Sequence, residues 1–146
     1  MNNHKQFMDH FQATCRSHGL KITHQRLEIY QALLATDEHP SAEHLHGRLS
    51  RRMPTLSLDT VYRTLATFEE LGLVRRVETL GSQARFEAVI EPHHHFFCDT
   101  CGRLIDFAWH SFDHVELPRE LEGIGMIKDK NVVVHGICKQ CLNRAA

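Results

Sequence analysis

SLDTVYRTLATFEELGLV, residues 57–74, decides the architecture of the first half of this chain. Ser57 is a residue type that caps helix N-termini with its hydroxyl. Leu58, Val61, Leu65 and Phe68 then recur at helical spacing and predict one apolar stripe, and Gly72 stops the helix. The outward positions Ser57, Thr60, Tyr62, Arg63 and Thr67 are polar. Upstream, Ser41 is placed to cap a third helix with Ala42, Leu45 and Leu49 facing inward, and Pro54 closes that segment. Thr23 caps a second helix whose apolar face is Leu27, Ile29, Tyr30, Leu33 and Leu34. Residues 4–17 carry Phe7, Met8, Phe11 and Cys15 at helical spacing and predict a first amphipathic helix ending near Gly19. Downstream, LVRRVETLGSQARFEAV (73–89) contains two β-prone runs around Leu80-Gly81-Ser82 and reads as a hairpin. Helices followed by a hairpin give the outline of a winged helix-turn-helix, with the fourth helix as recognition element. A packed helix with an ordinary solvated face has the same pattern, so the pattern alone leaves DNA binding open.

After Pro92 the texture changes. HHHFFCDTCGRLIDF (93–107) reads as a strand, a tight knuckle and a second strand. Residues 111–121 are expected to be helical, and 130–137 contain the β-branched run Val132-Val133-Val134. This lobe is too small to stand without a staple. Cys98-x-x-Cys101 and Cys138-x-x-Cys141 supply one: two such knuckles offer four thiolates to a single tetrahedral zinc. A redox pair would need only one Cys-x-x-Cys. The fold class expected is α+β, with a winged helix-turn-helix domain over residues 1–88 and a small zinc-stapled domain over 89–146.

The histidines form a second constellation. His93 and His95 leave the same face of the expected strand and His94 the other. Asp106 falls on the neighbouring strand, Glu87 before the domain boundary and His39 before the third helix. Imidazoles with carboxylates suit iron, manganese, zinc or cobalt. Solvated surface histidines and a metal-dependent hydrolase are the alternatives. The chain lacks an H-E-x-x-H helix, and no H-x-E or Pro-Cys precedes the first knuckle as in zinc deaminases.

Composition bounds these readings. The 146 residues are 42% hydrophobic and 24% charged, an ordinary globular balance. No apolar run approaches the roughly 20 residues of a membrane span, and MNNHKQFMDHF lacks the apolar core of a secretory signal, so a cytoplasmic location is expected. Thirteen histidines and five cysteines are unusual for this length, and paired cysteines in a cytosolic chain point to metal before disulfides. Cys15 fits an ordinary core position. Through Glu87 the chain has 11 basic against 10 acidic residues, and beyond it 6 against 8. DNA binding must therefore rest on local placement of charge, not on bulk charge.

GLKITHQR (19–26), HPSAEHL (39–45), SLDTVYRTLATFEELGLV (57–74), RFE (85–87), HHHFFCDTCG (93–102) and GICKQC (136–141) stand in the order found in the ferric uptake regulator family. The chain resembles that family over nearly its whole length. The resemblance implies a metal-dependent repressor that binds palindromic, double-stranded operator DNA as a homodimer, with no small-molecule substrate and no membrane partner. It implies structural Zn²⁺ on Cys98, Cys101, Cys138 and Cys141, and a regulatory Fe²⁺ or Mn²⁺ at the domain hinge held by His39, Glu87, His93, His95 and Asp106. Tyr62 and Arg63 match positions near the bases. Lys21 and Arg26 match the family's basic approach to the backbone or minor groove, and Ser57 and Thr60 complete the DNA-facing set. A further metal site known in ferric uptake regulators would fall on Pro92, His94, Asp113 and Lys130. Proline cannot ligate and lysine is a poor ligand, so that site is expected to be degraded. The hinge set resembles the peroxide-response branch, except that Glu87 stands at an aspartate position. The resemblance favours iron or peroxide sensing; zinc or manganese sensing is the alternative within the family.

Overall fold

The structure, a computed structural model, describes residues 2–77, 83–91 and 93–145 and divides into two units, Met1–Ile90 and Glu91–Ala146. The expected turn Leu80-Gly81-Ser82 and Pro92 lie outside the described residues.

Among the described residues the first unit has four helices, α1 (Asn2–Ser17), α2 (His24–Leu34), α3 (Ala42–Leu49) and α4 (Leu58–Glu70), followed by strands β1 (Val74–Val77) and β2 (Arg85–Ala88). Each expected cap is made. Thr23, Ser41 and Ser57 hold extended backbones and accept the N–H of Arg26, His44 and Thr60, satisfying donors that a helix start leaves open. Gly19 and Gly72, both at positive φ, follow the ends of α1 and α4, where a side chain would be strained. β1 and β2 pair antiparallel with Val74 opposite Ala88 and Arg75 opposite Glu87.

The core is organised by three rings. Phe11 stacks on Tyr30 at 4.3 Å, and Phe68 meets both edge-on at 5.5 and 5.8 Å. Offset and edge-on pairs of this kind add about 0.5–1.5 kcal/mol beyond burial. They tie α1, α2 and α4 together and fix which face of α4 turns outward. Cys15 is fully buried in the same core. The inward stripe of α4 is Val61, Thr64, Leu65 and Phe68. Leu58, expected to belong to it, is only half buried, because it opens the first turn at the margin of the core.

The second unit contains β3 (His94–Cys98), β4 (Leu104–Phe107), α5 (His110–Asp113), a 3-10 helix (Arg119–Gly123), β5 (Val133–Gly136) and α6 (Lys139–Ala145). Its sheet order is β4-β3-β5, with β3 antiparallel to β4 and parallel to β5. The continuous helix expected over 111–121 is not formed. Pro118 has no N–H to donate and disfavours helical backbone at Leu117, so the segment splits into α5 and the 3-10 turn. No helix among the described residues is long and apolar enough to cross a membrane.

Candidate metal and nucleic-acid sites

The two cysteine knuckles meet in the second unit. Cys98 ends β3, and Gly102 at φ +75 closes the first knuckle by donating its N–H to the Cys98 carbonyl at 2.8 Å. The parallel pairing of β3 with β5 sets Cys98 opposite Gly136, two residues before Cys138. The Asp99 N–H donates to the Gly136 carbonyl at 2.8 Å and joins the knuckles directly. Gly136 has to be small: a Cβ there would lie 2.9 Å from the Phe96 ring.

The four sulfurs lie within 4.8 Å of one another, with Cys98–Cys141 at 3.8 Å and Cys101–Cys138 at 3.9 Å. A tetrahedral zinc with bonds of about 2.3 Å requires sulfurs about 3.8 Å apart, so the donor set fits zinc. The electrostatics divide the thiols. The N–H groups of Cys138 and Cys101 point at Cys98 Sγ, 3.3 and 3.4 Å away, and hold its thiol down to about 6. The Cys141 thiol is pushed up to about 12 by its hydrogen bond with Cys138 and by burial. Four thiolates this close repel one another unless a cation sits among them.

The histidines and carboxylates assemble separately in each unit. In the first, the Phe86 N–H donates to the Pro40 carbonyl at 2.9 Å and docks the His39–Pro40 turn on β2. His39 has φ +55, a left-handed conformation that costs a non-glycine residue roughly 1–2 kcal/mol. The result is His39 Nε2 2.8 Å from Glu87 Oε2. In the second unit the β3–β4 register places His95 opposite Asp106. Asp106 Oδ1 lies 3.4 Å from His95 Nε2 and 3.9 Å from His93 Nε2, and the two imidazoles are 4.9 Å apart. His93 stands one residue before β3 yet shares the His95 side, as the alternation of a strand demands. Each cluster combines imidazole nitrogen with carboxylate oxygen, a donor set for a borderline divalent metal.

His94 faces the other way and is engaged at both nitrogens. The Val132 N–H donates to Nδ1 at 3.0 Å, so Nε2 carries the proton and donates to Asp113 Oδ1 at 2.7 Å. The rings of Phe107, Trp109 and Phe112 surround it. Lys130 does not reach for this imidazole. Its ammonium donates to the Phe112 and Val115 carbonyls at 2.6 and 2.5 Å and sits 4.9 Å from the Phe112 ring centroid. Both ring nitrogens of His94 are thus taken by the protein's own hydrogen bonds.

The expected nucleic-acid residues all lie in the first unit. Ser57 Oγ is 2.8 Å from Thr60 Oγ1 at the start of α4, and Arg63 Nε is 2.9 Å from Asp59 Oδ2 along it. Arg26 folds over the loop before α2, donating to the Lys21 carbonyl at 2.8 Å. Two contacts of this face are not legible in the sequence. Tyr62 donates its hydroxyl to Glu43 of α3, and His46 Nε2 lies 2.8 Å from the Leu56 carbonyl in the turn between α3 and α4. Both bridge separate elements, and helical periodicity carries no signal for such pairs.

The chain matches the sequence model of the ferric uptake regulator family over residues 17–135. It is 30% identical over 129 residues to the peroxide-responsive repressor PerR of Staphylococcus epidermidis, covering 88% of this chain and 86% of that protein. The ferric uptake regulator of Pseudomonas aeruginosa, solved with manganese, superimposes with a TM-score of 0.66 at 30% identity, over 88% of this chain and 97% of the other. The Helicobacter pylori ferric uptake regulator Fur gives 0.71 at 24% identity over 94% and 93%, a likeness of fold.

Proposed function

The chain belongs to the ferric uptake regulator family, whose members are metal-responsive transcriptional repressors acting as DNA-binding dimers, and from that premise we propose that it represses transcription by binding palindromic operator DNA as a homodimer. It is a regulator and not an enzyme. In this reading residues 1–88 form the DNA-binding domain, residues 89–146 form the dimerisation domain, and the protein works in the cytoplasm.

The observation that carries the proposal is the pair of half-sites, His39 with Glu87 in one unit and His93, His95 with Asp106 in the other. Neither half alone fills the coordination sphere of a divalent metal. Five ligands drawn from both would make occupancy depend on how the domains stand to one another. A metal that favours one arrangement must shift the population toward it. Bound there, Fe²⁺ or Mn²⁺ supplies a charge that five neutral and anionic side chains share. The protein's own contribution is orientation. The docked His39 turn and the β3–β4 register aim imidazoles and carboxylates that would otherwise be satisfied among themselves.

Zinc on Cys98, Cys101, Cys138 and Cys141 serves a different purpose in this reading, stapling β3 to the start of α6. The dimer is supported by the apolar surface of the second unit, where Val115, Ile124, Met126, Ile127, Val134, Ile137 and Leu142 are exposed. A monomeric domain of this size rarely leaves so much apolar area in water. DNA contact is assigned to Tyr62 and Arg63 for bases, and to Lys21, Arg26, Ser57 and Thr60 for the backbone.

The test is operator binding by fluorescence anisotropy with Fe²⁺, Mn²⁺, Zn²⁺ or chelator. Iron or manganese is expected to raise affinity, and His95→Ala is expected to abolish the increase while leaving the zinc in place. Equal binding with metal and with chelator would overturn the reading.

A further inference from the structure

Tyr62 is the one outward residue of α4 whose side chain is held by a group on another helix among the contacts described above. Ser57 pairs with Thr60, and Arg63 with Asp59, all within the first turns of α4 itself. Tyr62, 42% exposed, instead donates its hydroxyl to the carboxylate of Glu43. Glu43 belongs to the first turn of α3, beside the Ser41 cap, where the helix dipole favours a negative charge. The carboxylate is therefore stable where it stands. Its position is nonetheless unexpected for a surface meant to approach a polyanion, because a negative charge there repels phosphate.

We propose that Glu43 is a specificity-determining residue of the DNA-binding surface, positioning the Tyr62 phenol for base contact while its charge discourages non-specific approach of the phosphate backbone. The inference rests on the DNA-binding reading given above. The physical gain is preorganisation. A tyrosine already ordered in the free protein loses less freedom on binding its site, and an immobilised side chain of this kind is worth roughly three- to tenfold in affinity. The charge acts in the opposite sense on every duplex alike. Sequence discrimination rises because one effect is confined to the operator and the other is not.

Three substitutions separate these effects. Glu43→Gln keeps an oxygen that accepts from Tyr62 and removes the charge. Glu43→Ala removes both. Tyr62→Phe removes the hydroxyl from the other side. The experiment uses the full-length, metal-loaded protein. Wild type first selects its operator from a random duplex pool. Affinities are then measured for that duplex and for a shuffled duplex of the same composition, across a salt series.

Glu43→Gln is expected to bind both duplexes about threefold more tightly at low salt, with their ratio nearly unchanged. Glu43→Ala is expected to lower the ratio about threefold to tenfold, and Tyr62→Phe to lower it similarly. The double variant Glu43→Ala/Tyr62→Phe is expected to fall no further than either single change, since both break one contact. Thermal unfolding of each variant establishes that the fold persists, as an exposed contact predicts. Additive losses in the double variant, or an unchanged ratio in Glu43→Ala, would overturn the proposal. A wild-type protein that enriches no sequence would remove the DNA-binding reading and this inference with it, and is distinguishable because it appears before any variant is made.

Discussion

Replacing Lys130 by methionine removes an ammonium and leaves the aliphatic stem. In the wild type that ammonium closes the carbonyl end of α5, with Phe112 O at 2.6 Å, Val115 O at 2.5 Å and the Phe112 ring centroid at 4.9 Å. Charge-assisted hydrogen bonds contribute up to about 3 kcal/mol each, and a half-exposed lysine belongs at the lower end, about 1.5. The ring contact adds about 0.5 kcal/mol. Ordering the lysine chain costs about 1.5 kcal/mol, so the net loss in Lys130→Met is about 2 kcal/mol, or roughly thirtyfold in the folding equilibrium. Trp109, the only tryptophan, stands 5.1 Å from the Phe112 ring and reports directly on this cluster. Urea unfolding followed by its fluorescence is the assay. Lys130→Arg, which keeps the charge on a bulkier head, is expected to fall between wild type and Lys130→Met. A Lys130→Met variant within about 0.5 kcal/mol of wild type would refute the argument, because the two carbonyls would then be satisfied as well by water.

Cys98→Ser removes the sulfur that accepts two backbone N–H groups, and is expected to release zinc and yield monomer or unfolded protein; zinc analysis with analytical ultracentrifugation checks this, and a stable zinc-free dimer would count against the staple. Arg63→Ala is expected to cost about 1–3 kcal/mol of operator affinity, and operator binding by the wild type is expected to weaken steeply with added salt; unchanged affinity in anisotropy titrations would remove Arg63 from the base-reading set. Glu87→Asp shortens the proposed ligand by one methylene, and is expected to make the iron-loaded protein more sensitive to peroxide. Mass spectrometry for an added oxygen on His39 or His93 decides this, and a wild type oxidised as readily as the variant would show that Glu87 gives no protection.

Much of the fold is legible in the sequence because its signals are local. Thr23, Ser41 and Ser57 are readable as caps because a hydroxyl before an apolar-periodic run has one favourable use, and each makes the bond expected of it. Residues 111–121 mislead because their mixed composition resembles a helix, while Pro118 decides the outcome through one missing N–H. The short α6, which begins inside the second knuckle, leaves no signal, since seven residues hold too little periodicity to register.

The division between sequence and tertiary structure follows the range of the physics. Spacing alone pairs Cys98 with Cys101 and Cys138 with Cys141, because a knuckle is built within four residues. That the two knuckles face each other at zinc distance depends on β3 lying parallel to β5, a long-range pairing. The alternation of a strand is enough to separate His94 from His93 and His95. What His94 does is decided by the tertiary fold, because its partners, Asp113 and the Val132 N–H, come from segments 19 and 38 residues away. The same holds for Lys130, whose ammonium turns to carbonyls 18 and 15 residues back, and for Glu43, 19 residues before Tyr62. Residue type and local periodicity fix which chemistry a side chain offers. Which group receives it is settled by packing between elements, where small differences in contact energy among many distant pairs select one arrangement.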